Sequence, residues 1–226
     1  MGIIKTEIRG SDYIGAFGIA TDEFTLIGNV LSESKKELLN KALETPVITA
    51  SVDGSYLLGV YAVANSKGIL LQRGASDKEL KYIKTEVNAI NGAQVARLDS
   101  DLNALGNNIS ANNKTAFVNP GYSSKETKII ADMLDVEVIK MRIAGYSTIG
   151  AVSVFTNRGI AITDRSSEAE KAKIEAAAKL PVDYATANFG STYLGLAVLA
   201  NSKGMIIGSS TSGFELARIS NALGLE

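Results

Sequence analysis

The stretch GVYAVANSKGILL, residues 59–71, is written again with small changes as GLAVLANSKGMII, residues 195–207. Each copy is an apolar run, an Asn-Ser-Lys-Gly turn and a second apolar run, the pattern of a β-hairpin. With Gly59 and Gly195 as anchors, the phrase returns in weaker form elsewhere. TIGAVSVFTNRGIAITD (148–164) places Gly150, YIGAFGIATDEFTLIGN (13–29) places Gly15, and ALGNNISANNKTAFVNP (104–120) places Gly106. The anchors at 15, 59, 106, 150 and 195 are therefore 44, 47, 44 and 45 residues apart. Self-similarity at such a period marks a chain built of repeated units.

A second signal supports the register. Seventeen residues after four of the anchors stands a serine with a glutamate three further on: Ser76/Glu79, Ser123/Glu126, Ser167/Glu170 and Ser212/Glu215. In the first copy the pair reads Ser34/Glu37, displaced by two. This is the capping box that starts a helix. Leu80, Ile83, Val87 and Ile90 then share one helical face, as do Ile130, Met133 and Leu134. Each unit reads as strand, tight turn, strand, helix, strand. The first strand is expected to carry the anchor glycine, and the turn glycine to supply a positive φ. The asparagines Asn65, Asn112 and Asn201 read as turn residues.

The fifth copy reaches its helix, FELARISNALG (214–224), without a closing strand, while the unmatched strand IIKTEIRG (3–10) stands at the other end of the chain. That N-terminal strand is predicted to complete the fifth unit and close a ring, because an open stack of repeats exposes ends that need covering. The predicted fold is α/β, a pentein-type β/α-propeller of five pseudo-symmetric strand-strand-helix-strand repeats, with residues 1–226 as one domain.

Composition narrows the chemistry. The chain has no cysteine and no histidine, which removes thiol nucleophiles, thiolate metal sites and the commonest general base. Net charge is −1 and the pI is about 5.7, without the basic surplus of a protein held mainly by phosphates. No cofactor or metal is expected; the pair Asp99/Asp101 lacks further ligands and is set aside. Lys78, Lys81 and Lys84, spaced along one helix beside Glu79 and Glu86, read as a solvated face. No membrane span or signal peptide is read, and Gly2 with Thr6 matches an acylation pattern only formally. The sequons at Asn108 and Asn113 mean little without a secretion signal. A cytoplasmic protein is expected.

The segments DLNALGNNISANNKTAFVNP (101–120) and KETKIIADMLDVEVIKMRIAGYSTIGAVSVFTNRG (125–159), with the DKEL helix start at 77–80, resemble the translation initiation factor six family. The resemblance runs from GSDYIGAF to FELARISNALG and suits an archaeal-type member, without the acidic tail of eukaryotic relatives. It implies a non-enzymatic factor that binds the large ribosomal subunit, chiefly a ribosomal protein near the sarcin–ricin loop, with at most a minor rRNA contact. It implies that joining of the small subunit is blocked sterically, and a role late in large-subunit biogenesis, ended by a GTPase with a partner protein. The same fold carries guanidino-modifying enzymes, whose cysteine and histidine this chain lacks. A pentein-fold binding protein for another protein partner is the alternative reading, and a monomer is expected.

The ALGN segment lies on the ribosome-facing side in the family, which implies a contact at Asn107, with Leu105, Gly106 and Tyr56 as neighbours. The alternative is that Asn107 serves only to turn the chain. The anchor glycines Gly15, Gly59, Gly106, Gly150 and Gly195 are open to two readings: close packing at the axis of a ring, or a flat face for a broad partner.

Overall fold

The computed structural model describes residues 2–225, which form five three-stranded sheets arranged as five units. The second unit shows the plan. Ala62–Ala64 pairs antiparallel with Gly68–Gln72, which pairs parallel with Gln94–Leu98. The parallel pair needs a crossover, and a helix supplies it. These helices are α1 (Glu33–Leu43), α2 (Asp77–Asn88), α3 (Ser124–Leu134), α4 (Glu168–Ala178) and α5 (Gly213–Ala222).

The fifth sheet confirms ring closure. Val198–Ala200 and Gly204–Gly208 are completed by Gly2–Thr6, which lies parallel to the middle strand, from Gly2 opposite Gly204 to Thr6 opposite Gly208. The strand is shorter than the 3–10 reading. Its continuation folds into a turn bridged between Ile8 and Ser11.

Among the described residues there is no single central core. Five apolar clusters fill the seams between adjacent units, one per seam. In one, Leu26, Ile48 and Val52 of the first unit meet Ile69, Ile83 and Val87 of the second. In the closing seam Ile14, Ile27 and Leu39 of the first unit meet Leu199 and Ile206 of the fifth. Ile83 and Val87, and Ile130 with Leu134, are the buried stripes of α2 and α3, as their spacing predicts.

Three sequence expectations need correction. The first helix is capped by Ser32, whose side chain accepts from the Lys35 amide, and not by Ser34. Ser32 lies seventeen residues after Gly15, so the repeat register holds and only the glutamate is missing. The other four helices carry complete capping boxes.

The anchor glycines do not lie on strands. They sit in single helical turns at Ile14–Phe17, Leu58–Tyr61, Leu105–Asn108, Ile149–Ala151 and Leu194–Ala197, just before the innermost strands. There each glycine packs against the preceding one around the axis. A Cβ on Gly59 would lie 1.8 Å from the carbonyl oxygen of Gly15, on Gly106 1.9 Å from that of Gly59, and on Gly15 2.1 Å from that of Gly195.

The turn glycines Gly68, Gly159 and Gly204 lack positive φ. They are needed because the end of the next unit's helix presses on them: added Cβ atoms would lie about 2 Å from the carbonyl oxygens of Met133, Ala222 and Ala42.

Candidate functional site: the glycine face

Each innermost strand runs from a glycine turn to a hairpin, and each middle strand returns to a helix start. The glycine turns, the loops before them and the N-termini of α1–α5 therefore share one end of the ring. The hairpins and helix C-termini share the other.

The hairpin end is bonded to itself. Asn65 and Asn201 turn their own chain by accepting from the amides two and three residues on. Their Nδ2 groups donate into neighbouring units, Asn65 to the carbonyls of Asn112 and Leu134, Asn201 to those of Thr21 and Leu43. Asn112 turns its chain likewise and donates to the Thr156 carbonyl. Lys67 and Lys203 reach the final carbonyls of helices in the next unit, Asp135 and Glu44, where a cation complements the helix dipole. The turn asparagines thus also staple the ring.

The glycine end presents surface. At its centre an axial cavity of about 110 Å³ is lined by the five anchor glycines and continues along all three residues of each inner strand. Within the ring Ser110 and Ser153 share a hydrogen bond of 2.9 Å, and Ser153 donates to the Ile149 carbonyl. Around this centre lie Tyr13, Tyr56 and Tyr193, each about 40% exposed, and further out Phe189 and Phe214 at 82% and 72%. Tyr56 stacks on Phe17 with ring centroids 5.9 Å apart, and the Arg9 guanidinium lies 5.2 Å from its centroid. Tyr193 meets Tyr146 edge to face.

The loops carrying this face are held rigidly by the capping-box glutamates. Glu79 accepts from the Ser51 hydroxyl and from the amides of Asp53 and Gly54. Glu215 does the same for Thr186, Phe189 and Gly190, and Glu170 for the Ala144 amide. Burial of Glu79 disfavours its charge, but the amides of Gly54 and Ser76 and the hydroxyls of Ser51 and Ser76 outweigh that and hold the carboxyl at about 2. The same balance lowers Glu126 and Glu215. In the first unit Lys35 stands at the glutamate's position and donates instead to the Glu7 carbonyl.

The structure separates the residues expected to bind. Leu105 is wholly buried in the seam between the second and third units and offers no side-chain surface. Asn108 is internal, donating to the Ala104 carbonyl and accepting from Asn119. Gly106 belongs to the axial ring. Tyr56 and Asn107 lie on the glycine end, and the Asn107 side-chain oxygen has no hydrogen-bond partner. The corresponding residues of the other units are Ala16, Val60, Ala151 and Leu196, so Asn107 is the single polar side chain in that ring of positions. Lys78, Lys81 and Lys84 are exposed on α2.

Phe189, Phe214 and Tyr193 escaped the sequence reading. A signal for the first was present: the fifth loop, Ala187 to Ser191, is one residue longer than its equivalents Ile8–Ser11, Val52–Ser55 and Ile143–Tyr146. Among the described residues no cluster of three or more acidic, His or Cys side chains could hold a metal ion, and no helix is long and apolar enough to cross a membrane.

The profile of the eIF-6 family matches residues 3–222. Translation initiation factor 6 of Saccharolobus islandicus is 36% identical over 99% of this chain and 100% of its own length. The namesake proteins of Pyrococcus horikoshii and Thermococcus onnurineus are 37% and 36% identical, each over 99% of both chains. Among solved structures, a dimethylarginine-hydrolase-type protein, DDAH of Pseudomonas aeruginosa, is similar with a TM-score of 0.48 at 10% identity, over 94% of this chain and 73% of that one. The N-terminal domain of ArgZ, a cyanobacterial arginine dihydrolase, gives 0.49 at 13% identity over 76% and 67%. Likenesses this distant carry nothing about activity.

Proposed function

Since the chain belongs to the eIF-6 family and its full-length relatives are translation initiation factors, we propose that its glycine face docks on the large ribosomal subunit and sterically blocks joining of the small one. The observation that carries this is the exposed aromatic surface of that face, with Asn107 the single polar side chain in its axial ring of positions. Exposed Tyr13, Tyr56 and Tyr193 around the same centre fit a protein interface, where tyrosine is enriched. The partner is a ribosomal protein near the sarcin–ricin loop, with rRNA in a minor part, and the factor acts late in large-subunit biogenesis as a cytoplasmic monomer without enzymatic activity.

An interface of standard size, about 1,600 Å² in total, suffices for such a block. The test is co-sedimentation of purified protein with separated ribosomal subunits, followed by a joining assay. Pelleting with the large subunit alone, with joining suppressed in proportion to occupancy, is the expected result. Binding to neither subunit overturns the reading. Asn107→Asp, which replaces the amide with a charge, is expected to weaken large-subunit binding at least tenfold.

A further inference from the structure

The fifth unit differs from the other four at its outer edge on the glycine end. Its loop carries an additional residue, so that three consecutive positions, Asn188, Phe189 and Gly190, have positive φ where the equivalent loops have two, Arg9-Gly10, Asp53-Gly54 and Ala144-Gly145. Phenylalanine at φ 58° is strained, since a bulky L-residue seldom occupies the left-handed region. The strain is held in place from below. Glu215 accepts from the Phe189 and Gly190 amides, and Asn188 is fixed by Thr211 and by the Asp12 carbonyl. All this restraint presents a ring that is 82% exposed.

The residue next to Glu215 repeats the theme. Phe214, 72% exposed, occupies the helix position where the other units have Ser34, Lys78, Lys125 and Ala169. Arg218 lies one turn on, with its guanidinium 5.8 Å from the Phe214 centroid and no ion-pair partner among the described residues. Two exposed phenylalanines and an arginine without an ion-pair partner among the described residues therefore bracket the Glu215 clamp. Insertions in one repeat of an array commonly mark its binding face.

We propose that Phe189 and Phe214 form a second anchor of this face on the large subunit, entering an apolar pocket of a ribosomal protein whose edge offers a carboxylate to Arg218. The inference rests on the reading under Proposed function. It extends that reading to the opposite side of the ring, since the fifth unit lies across the axis from the second and third, which carry Tyr56 and Asn107. Protein is favoured over RNA by local charge. Helix α5 bears one arginine and one glutamate, whereas a surface that binds phosphates gathers several cations. Among the described residues Arg218 has no carboxylate partner, and a carboxylate on the docked protein would supply one.

The experiment uses the full chain and purified archaeal large subunits. Joint replacement Phe189→Ala with Phe214→Ala is expected to raise Kd about tenfold or more, as for hot-spot aromatics, with an unchanged melting temperature. Phe189→Gly relieves the strained φ, so it is expected to keep or raise the melting temperature while weakening binding. A fall in melting temperature instead assigns Phe189 a structural role and overturns the proposal. With p-benzoylphenylalanine at position 189, photo-crosslinking is expected to give an adduct sensitive to protease and resistant to ribonuclease. A ribonuclease-sensitive adduct, or a double variant that binds like the parent, overturns the anchor while leaving the docking of the ring intact. If the parent protein does not sediment with the large subunit, both readings fall together.

Discussion

A methyl group at Gly106 would stand 1.9 Å from the Gly59 carbonyl oxygen and 2.7 Å from that of Ala62. Both are backbone atoms in a closed ring, so neither can yield without moving a unit. Gly106→Ala is therefore expected to cost about 3 kcal/mol. Gly54→Ala meets no atom within 4 Å and pays only for its φ of +68°, about 1–2 kcal/mol. Denaturant unfolding of the two variants separates steric from conformational need; equal losses would refute the crowding argument. Asn201→Ala removes donors to Thr21 and Leu43 and opens its own turn, at a cost of about 2–3 kcal/mol. The pH dependence also belongs at this scale. Glu79 is held at about 2, below its ordinary value of 4.5, so its clamp contributes fully above pH 4.5. That contribution is lost as pH falls from about 4.5 toward about 2. Glu79→Gln is expected to flatten the acid limb of the stability curve, measured by thermal melting across that range.

Among the elements, the helices were the most legible from sequence. Their starts follow from a serine at constant offset and a glutamate three residues on, and their buried stripes from apolar spacing. The first helix was misplaced by two residues because Ser34/Glu37 imitates the motif, whereas the constant offset points to Ser32. Ser32→Ala is accordingly expected to cost about 1 kcal/mol, and Ser34→Ala to fall within about 0.5 kcal/mol of the parent. The reverse order would restore the original assignment. The hairpins were legible as turns but not in their chemistry. Gly68 and Gly204 are required by Met133 and Ala42 of the next unit's helix, neighbours that no local pattern announces.

For the whole molecule, stability resides in five seams, and the seam between the fifth and first units depends on Gly2–Thr6. Removing residues 1–10 is expected to expose the edge of Gly204–Gly208 and to broaden or divide the melting transition. A truncated chain that melts like the parent would show that closure contributes little. A net charge of −1 implies that large-subunit binding weakens only gently with salt. A complex held by six to ten phosphate contacts would lose about 10³–10⁵ in affinity between about 50 and 200 mM, and a loss that steep would refute a protein-dominated interface.

The sequence by itself determined the number of units, the order of the hairpin, helix and closing strand in each, and the use of the N-terminal strand to close the ring. These are properties of spacing, and spacing is local or periodic. Only the tertiary structure decided which residues of the segment Leu105-Gly106-Asn107 are packing and which are surface. Only it placed Phe189 and Phe214 beside one clamp, and only it showed that the glycines are needed for one another. Those outcomes depend on atoms brought together from positions tens of residues apart, at angles set by closing five units around one axis.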